Sequence, residues 1–286
     1  MAMRIVRSIT SMRALAERWR RTGARVGLVP TMGALHAGHL ALVAAARRSS
    51  DRVVVSVFVN PSQFGPREDF ARYPRTPAAD ARLLRRAGVD ALFLPAVAAM
   101  DPPGGATVVE VGGSLTRGLC APFRPGHFRG VATVVARLFA IIRPHAAWFG
   151  RKDAQQAAVL GRMARDLHFG IAVHTVPTVR EPDGLARSSR NRALLPAQRA
   201  AAPVLHEALA LAAAAVRGGA RTRGAVLGPA RRRLARVPGL RVQYLDLVDA
   251  ATLAPASRPA GRLLLAAAIH LGRTRLIDNR AVRAPR

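Results

Sequence analysis

Short apolar runs alternate with turn residues along the first part of the chain, and their periods predict a succession of strands and helices. Met12 to Arg21 has helical spacing, Arg25-Val26-Gly27-Leu28-Val29 reads as a strand, and Leu40 to Ala46 continues a helix entered near His39. Val53-Val54-Val55-Ser56-Val57-Phe58-Val59 is an almost unbroken β-branched run, the pattern of a strand covered on both faces of a parallel sheet. A polar loop over Gly65 to Thr76 leads to a helix at Pro77 to Ala87, a short strand at Asp90 to Leu94, a turn-rich connection over Pro95 to Gly105 and a further strand at Thr107 to Val111. The basic, glycine-punctuated stretch Phe123 to Gly130 reads either as a surface turn or as the opening of a helix over Val131 to Ile142. His145 to Phe149 is then a strand, Gly150 to Asp153 a turn, Ala154 to Leu167 a helix, and Ile171 to Val176 the last strand of this part. Repeated strand and helix predict an α/β fold, a Rossmann-like doubly wound parallel sheet.

After Pro177 the texture changes. Arg180 to Asn191 is polar around the turn Pro182-Asp183-Gly184, and an Ala-rich helix follows from about Pro196 to Val216, ended by Gly218 and Gly219. A basic helical stretch reaches Arg236, and strands are predicted at Arg241 to Val248, Arg262 to His270 and Thr274 to Ile277. The expectation is therefore two domains, 1–177 and a smaller α+β domain over 178–286.

With 286 residues, half of them hydrophobic, the chain is long enough for a full core. No apolar run is read as long enough to cross a bilayer, and Met1 to Arg7 lacks the apolar centre of a signal peptide, so a cytoplasmic location and no membrane partner are expected. Cys120 is the single cysteine, which excludes an intrachain disulfide and a multi-cysteine metal site; it reads as a buried spectator, the alternative being a reactive thiol. The net charge of +29 would ordinarily suggest nucleic acid, but the aromatic content is 5% and the basic residues are scattered along the chain. Of 45 basic residues 44 are Arg, a bias that looks like compositional drift, so no nucleic-acid partner is expected. Against that drift the lone Lys152 stands out. A position that keeps lysine points to a need for a compact ammonium, as at a phosphate or a reacting oxygen.

The residues with the most chemistry lie in VPTMGALHAGH, Val29 to His39. If a helix begins near Leu35 to Ala37, His36 and His39 share one face of its first turn, beside amide N–H groups that lack intrahelical acceptors, a place to hold a polyphosphate. A polar helix face or part of a metal site is the plainer alternative. Neither G-x-G-x-x-G nor G-x-x-x-x-G-K-[ST] is present, so nucleotide phosphates would be held by this turn, by Lys152 and by Ser188-Ser189-Arg190-Asn191, which alone also reads as a solvated loop. Asn60 to Gln63 closes a strand expected to be buried, at the edge where open α/β sheets bind ligands, and Gln156 lies one helical turn beyond Lys152.

VPTMGALHAGH, VSVFVNPSQF, ARYPRT, RPGHFRG, FG-x-KD-x-QQ and DGLA-x-SSRN, in this order, resemble the pantoate and β-alanine ligases of the HxGH nucleotidyltransferase superfamily, with Leu276-Ile277-Asp278-Asn279 extending the match. The resemblance implies an enzyme, a carbon–nitrogen ligase of pantothenate and coenzyme A synthesis: pantoate attacks ATP to give pantoyl adenylate and pyrophosphate, then β-alanine displaces AMP. It implies that Met32, Gly33, Ala34, Leu35, His36, Ala37, Gly38 and His39 form the ATP turn, with His39 as general acid and His36 beside it. Gly150, Arg151, Lys152 and Asp153 would grip ribose and phosphates, Val179 would line the adenine pocket, and Arg187, Ser188, Ser189 and Arg190 would form a phosphate loop, with Lys152, Ser188 and Arg190 catalytic. Gln63 and Gln156 would hold pantoate, Gln63 also β-alanine, and Mg2+ would bridge phosphate oxygens, with Asp80 as a metal-ligand candidate or else a solvated helix carboxylate. A homodimer is the implied assembly, with the strand around Val108 as one interface candidate. Arg151, Ala154, Arg187 and Ala121 depart from the family's usual residues. The alternatives are a related adenylyl-transferring enzyme acting on another small acid, and a basic RNA-binding module.

Overall fold

The computed structural model describes residues 2–65, 70, 71 and 73–285. Part of the polar loop expected over 65–76, namely 66–69 and 72, lies outside the described residues. The chain divides into two compact units, the first comprising Met1–Val111, Arg124–Arg151 and Gln156–Pro177.

The first unit is built on a six-stranded sheet in the order β1-β4-β3-β2-β5-β6, from β1 (Arg4–Val6), β2 (Val26–Thr31), β3 (Arg52–Val57), β4 (Ala91–Phe93), β5 (Ala146–Gly150) and β6 (Ala172–Val176). Every pairing is parallel. Helices α1 (Ile9–Arg21), α2 (Ala37–Arg47), α3 (Pro77–Arg86), the short α4 (Val97–Met100), α5 (His127–Ile142) and α6 (Ala154–Asp166) connect them. One apolar layer joins Leu28, Val54 and Phe149 to Met12 of α1, Phe139 of α5 and Leu160 of α6. The opposite layer joins Val29, Val55 and Trp148 to Val43 of α2 and Leu84 of α3. This two-sided burial explains why β3 reads as a continuous apolar run rather than an alternating one. From β2 the chain steps outward through β3 and β4 on one side, whereas β5 and β6 lie on the other, so the strand order reverses between β2 and β5. Carboxyl ends of strands flanking such a reversal form the ligand crevice of open α/β sheets.

The second unit comprises Gly112–Phe123, Lys152–Gln155 and Thr178–Arg286. Helices α7 (Pro196–Ala201), α8 (Val204–Arg217) and α9 (Arg223–Ala235) accompany an antiparallel sheet of β7 (Leu240–Asp249), β8 (Arg262–Leu271) and β9 (Thr274–Arg283). Leu205, Leu209, Ala212 and Val216 of α8 pack with Leu227 of α9 and Leu265, Ala267 and Ile269 of β8.

Several elements differ from the sequence expectation. Thr107 to Val111 forms no strand; the Val109 N–H is taken by the Thr133 hydroxyl at 2.9 Å, a side-chain partner that does not extend a ladder. The three-residue β1 was not anticipated, and α5 begins at His127, four residues before the expected Val131. The Ala-rich helix is two, because Pro203 has no N–H to continue the backbone ladder across the junction. The 22-residue run Pro196–Arg217 is also long and apolar enough by composition to span a bilayer, against expectation; its apolar side is the core of the second unit. Of the short segments 112–123 and 152–155, both expected in the first domain, each is part of the second unit.

Three histidines make stability sensitive to acid. Burial, then Arg20 and Arg25, hold His145 below the ordinary imidazole range, and its Nδ1 accepts the Val26 N–H at 3.0 Å. Burial also lowers His206, with Arg180 next, and His270, with Arg241 and Arg275 next. A base whose folded pKa is lowered stabilises the fold fully above its unfolded pKa, and that contribution is lost as pH falls through the unfolded value of about 6.5 toward the folded one. The melting temperature is therefore expected to fall between about pH 7.5 and about pH 5. Thermal melts followed by circular dichroism check this, and an unchanged or rising Tm would contradict it.

Candidate active site

The carboxyl end of β2 runs into a turn that a glycine and an alanine make in sequence. Gly33 has φ +81° and Ala34 φ +51°, both left-handed. For alanine this costs about 1–2 kcal/mol, so something must hold the turn. Asp80, in the first turn of α3 and 1% exposed, does so: Oδ2 accepts the Ala34 N–H at 3.0 Å, Oδ1 the Leu35 N–H at 2.9 Å, and the Thr76 hydroxyl donates to Oδ1 at 3.2 Å. A buried carboxylate without partners would be far more costly than this satisfied one. A Cβ at position 33 would lie 3.0 Å from Asp80 Oδ2, so the glycine also gives the carboxylate room. The suggestion of Asp80 as a metal ligand or a solvated carboxylate is thereby corrected: it is buried, and both oxygens are committed to the chain itself.

The turn delivers His36 as the N-cap of α2. Its Nδ1 accepts the Gly38 N–H at 3.1 Å, and the His39 Nδ1 accepts the His36 N–H at 3.3 Å, a reciprocal cap made of two imidazoles. The ring centroids are 4.1 Å apart. A Cβ at position 38 would come within 2.8 Å of His36 Cε1, so the glycine in His-Ala-Gly-His lets the first ring fold over the helix start. A ring nitrogen that accepts carries no proton, so in each neutral imidazole the proton is on Nε2. Both rings sit at the positive end of a helix dipole.

Gln63, 8% exposed in a 3-10 turn over Pro61–Gln63 that follows β3, lies beside the same turn, its Nε2 donating to Met32 Sδ at 2.8 Å. Asn60 Nδ2 donates to Gln63 Oε1 at 3.3 Å and to the Gly130 carbonyl at 3.1 Å. His127 Nδ1 is 2.8 Å from the Gln63 carbonyl while Arg124 Nη1 donates to its Nε2 at 2.9 Å, which puts the imidazole proton on Nδ1 and makes it the donor to Gln63. Asn60, Arg124 and His127 thus fix the Gln63 turn, a role not assigned to them from the sequence. The scarcity of asparagine was the available signal for Asn60; for Arg124 and His127 it was the motif Arg-Pro-Gly-His.

The neighbouring glutamines of α6 separate cleanly. Gln155 is buried and spends its amide on the Cys120 N–H and on the Leu115 and Gly118 carbonyls, within the second unit. Gln156, in the first unit, is half-buried. Gly150 ends β5, and Arg151–Asp153 form a 3-10 turn. Lys152 is half-buried, and among the described residues its carbonyl accepts from Asn279 Nδ2 at 2.8 Å.

In the second unit Val179 accepts the Arg187 N–H at 2.9 Å. Ser188 caps the 3-10 turn Ser189–Ala193 by accepting the Arg190 N–H at 3.3 Å, and Asn191 Nδ2 donates to the Ala186 carbonyl at 3.1 Å. The Arg187 guanidinium pairs with Glu181 at 2.9 Å. The structure thus brings His36, His39, Met32, Asp80 and Gln63 together in the first unit, and Val179, Arg187, Ser188, Ser189 and Arg190 in the second. Among the described residues no three His, Cys, Asp or Glu side chains cluster as a metal cage.

Comparison with known proteins gives a concordant result. Residues 4–281 match the family model described as pantoate-beta-alanine ligase. The chain is 52% identical over 277 residues to the pantothenate synthetase of Moorella thermoacetica, covering 97% of this chain and 98% of that one. It is similar in structure to the pantothenate synthetase of Thermus thermophilus, with a TM-score of 0.93, 49% identity and coverage of 98% and 100%. It is also similar to the pantoate-beta-alanine ligase of Francisella tularensis in complex with beta-gamma ATP and beta-alanine, with a TM-score of 0.81, 30% identity and coverage of 98% and 97%.

Asp80→Asn keeps the shape of the clamp but turns one acceptor into a donor facing an N–H. A loss of about 2 kcal/mol of stability is expected, the scale of a hydrogen bond to a charged group. Urea denaturation measures it, and a variant as stable as the parent would remove Asp80 from its role beneath the turn.

Proposed function

The chain belongs to the pantoate-beta-alanine ligase family, and from that premise we propose that the capped histidine turn binds and activates ATP for the condensation of pantoate with β-alanine. The observation that carries this reading is the pair of imidazoles, ring centroids 4.1 Å apart, whose Nδ1 atoms both accept backbone N–H groups of the cap at the N-terminus of α2.

The pantoate carboxylate attacks the α-phosphorus of ATP, the bond to the bridging oxygen breaks, and pyrophosphate leaves as pantoyl adenylate forms. The amine of β-alanine then attacks the acyl carbon, and AMP leaves with the acyl oxygen. Negative charge builds on the phosphates in the first step, and fixed donors aimed at that charge are what lower its barrier. His39 supplies a proton or hydrogen bond to the departing oxygens, with His36 beside it, and Met32 to Leu35, Ala37 and Gly38 complete the nucleotide turn. Gln63, held by Asn60 and His127, orients pantoate and then β-alanine; Gln156 is the second amide for pantoate. Lys152 supplies the compact cation, with Gly150, Arg151 and Asp153 around the nucleotide. Val179 takes the adenine side, and Ser188, Ser189 and Arg190 the phosphates, with Arg187 bracing their loop through Glu181. Mg2+ would accompany the nucleotide and neutralise charge on its phosphate oxygens. A cytoplasmic location accords with ATP as co-substrate.

A homodimer belongs to the same reading. Val108, 57% exposed on an extended segment, is an apolar surface position suited to contact with a second copy. Light scattering is expected to give a mass near twice 30.4 kDa, lowered by Val108→Arg. A dimer untouched by the arginine would put the interface elsewhere.

Pyrophosphate release from ATP and Mg2+ should depend on pantoate and become sustained, with AMP and pantothenate appearing together, once β-alanine is added. No pantoate dependence in folded protein would refute the assignment. Lys152→Arg is expected to slow adenylate formation about a hundredfold, because the planar fork misplaces the charge. Gln63→Ala should raise the KM for pantoate about tenfold, the loss of one or two hydrogen bonds, while that for ATP changes less. Equal changes would remove Gln63 from the pantoate pocket.

A further inference from the structure

The motif Leu276-Ile277-Asp278-Asn279 has no part in the chemistry above, yet Asp278 and Asn279 are only 3% and 7% exposed. They are consecutive in β9, opposite Ala267 and Ala266 of β8, so their side chains leave the sheet on opposite faces. Ala267 marks the face that packs on α8 and α9. A carboxylate and a carboxamide buried in an antiparallel sheet cost stability unless each finds partners. Each does, and the partners belong to two different segments of the second unit.

Asp278 holds Arg180 by a two-pronged pair, Nη1 donating to Oδ2 at 2.6 Å and Nη2 to Oδ1 at 3.0 Å. Its Oδ1 also accepts the Asn279 N–H at 2.8 Å. The same Arg180 Nη1 donates to the Gly184 carbonyl at 3.0 Å, and Arg180 bridges Ala186 in a narrow antiparallel turn. The carboxylate therefore sets the base of the hairpin from which Arg187 to Asn191 continue. Asn279 donates its Nδ2–H to the carbonyl of Lys152 at 2.8 Å. Lysine carries four flexible bonds beyond its Cα, so fixing its peptide sets the origin from which the ammonium reaches.

We propose that Asp278 and Asn279 are positioning residues, one setting the Ser188–Asn191 segment through Arg180 and the other setting Lys152 through its carbonyl. The proposal rests on the assignment of these two segments to the nucleotide phosphates. Neither residue touches a reacting atom; a single strand gives both cationic segments one frame, so that their spacing is fixed by strand geometry rather than by loops.

Asn279→Asp keeps the side-chain shape and removes the donor to Lys152. Pantoate-dependent pyrophosphate release is expected to lose about a hundredfold in kcat, the cost of misplacing a group by about an ångström, with KM for pantoate changed by less than about threefold. Asn279→Ser, which keeps a donor on a shorter arm, should recover part of the loss. In a Lys152→Ala background the Asn279→Asp change should cost less than about threefold, because a residue acting through another has nothing left to position. Calorimetric affinity for a non-hydrolysable ATP analogue supplies the same cycle where turnover is too slow to follow. For the other half, Asp278→Asn and Arg190→Ala form the parallel cycle. If Lys152→Ala leaves both release and affinity unchanged, the assignment of Lys152 to the phosphates falls and takes the Asn279 half with it. If Lys152→Ala is impaired but Asn279→Asp is not, or if their losses add in full, the assignment stands and the positioning role is overturned. The same pair of outcomes judges Asp278 against Arg190.

Discussion

The carboxylate of Asp80 is the constraint on which the histidine turn depends. Two consecutive residues leave β2 in left-handed geometry, one of them an alanine, and the segment closes only because a buried anion accepts the amides of Ala34 and Leu35. Once those amides point at α3, the chain reaches His36 with an extended backbone, which is the geometry an N-cap requires. The two imidazoles then cap the helix and each other, and the backbone N–H groups that their Nδ1 atoms accept place the proton of each neutral ring on Nε2. Strand, turn, cap and tautomer form one causal chain, in which each link is a backbone group that would otherwise go unsatisfied.

The second unit shows the same economy with a different frame. Its antiparallel sheet is a plain apolar layer under α8 and α9. Its buried polar residues among those described reach irregular segments: Asp278 reaches Arg180, Asn279 Lys152, Gln155 the stretch around Cys120, and Thr274 the Ala193 carbonyl. Asn279 ties 152–155 to the rest of this unit, and Ser114 with the Thr252 carbonyl and Cys120 with Tyr244 and Arg275 tie 112–123 to it.

Periodicity made the parallel sheet legible because its strands are covered on both sides; Val53 to Val57 could hardly be anything else. Where an element is defined by a partner that sequence does not display, the reading failed. Thr107 to Val111 has strand composition, but the Thr133 hydroxyl takes the Val109 amide. Arg4–Val6 is too short to carry a period and is a strand only because β4 is beside it. Pro125 and Gly126 suggested a longer loop than exists, since Gly126 sits in left-handed geometry immediately before α5. The spacing of His36 and His39 announced a shared face, and the lone lysine announced an unusual position. The burial of Asp80, the pairing of Arg187 with Glu181 and the grip of His127 on the Gln63 peptide are tertiary facts that no single segment encodes.

Lys152 combines half-burial, an anchored peptide and a composition in which every other basic side chain is a guanidinium. As a result the chain carries one ε-amine. Reagents that acylate or reductively alkylate amines will find, besides the amino terminus, a single target, and a lysine-directed endoproteinase has one bond to cut. Amine chemistry thus becomes a site-specific probe without any engineering, and protection of that amine by a bound nucleotide can be read directly as the mass of one peptide.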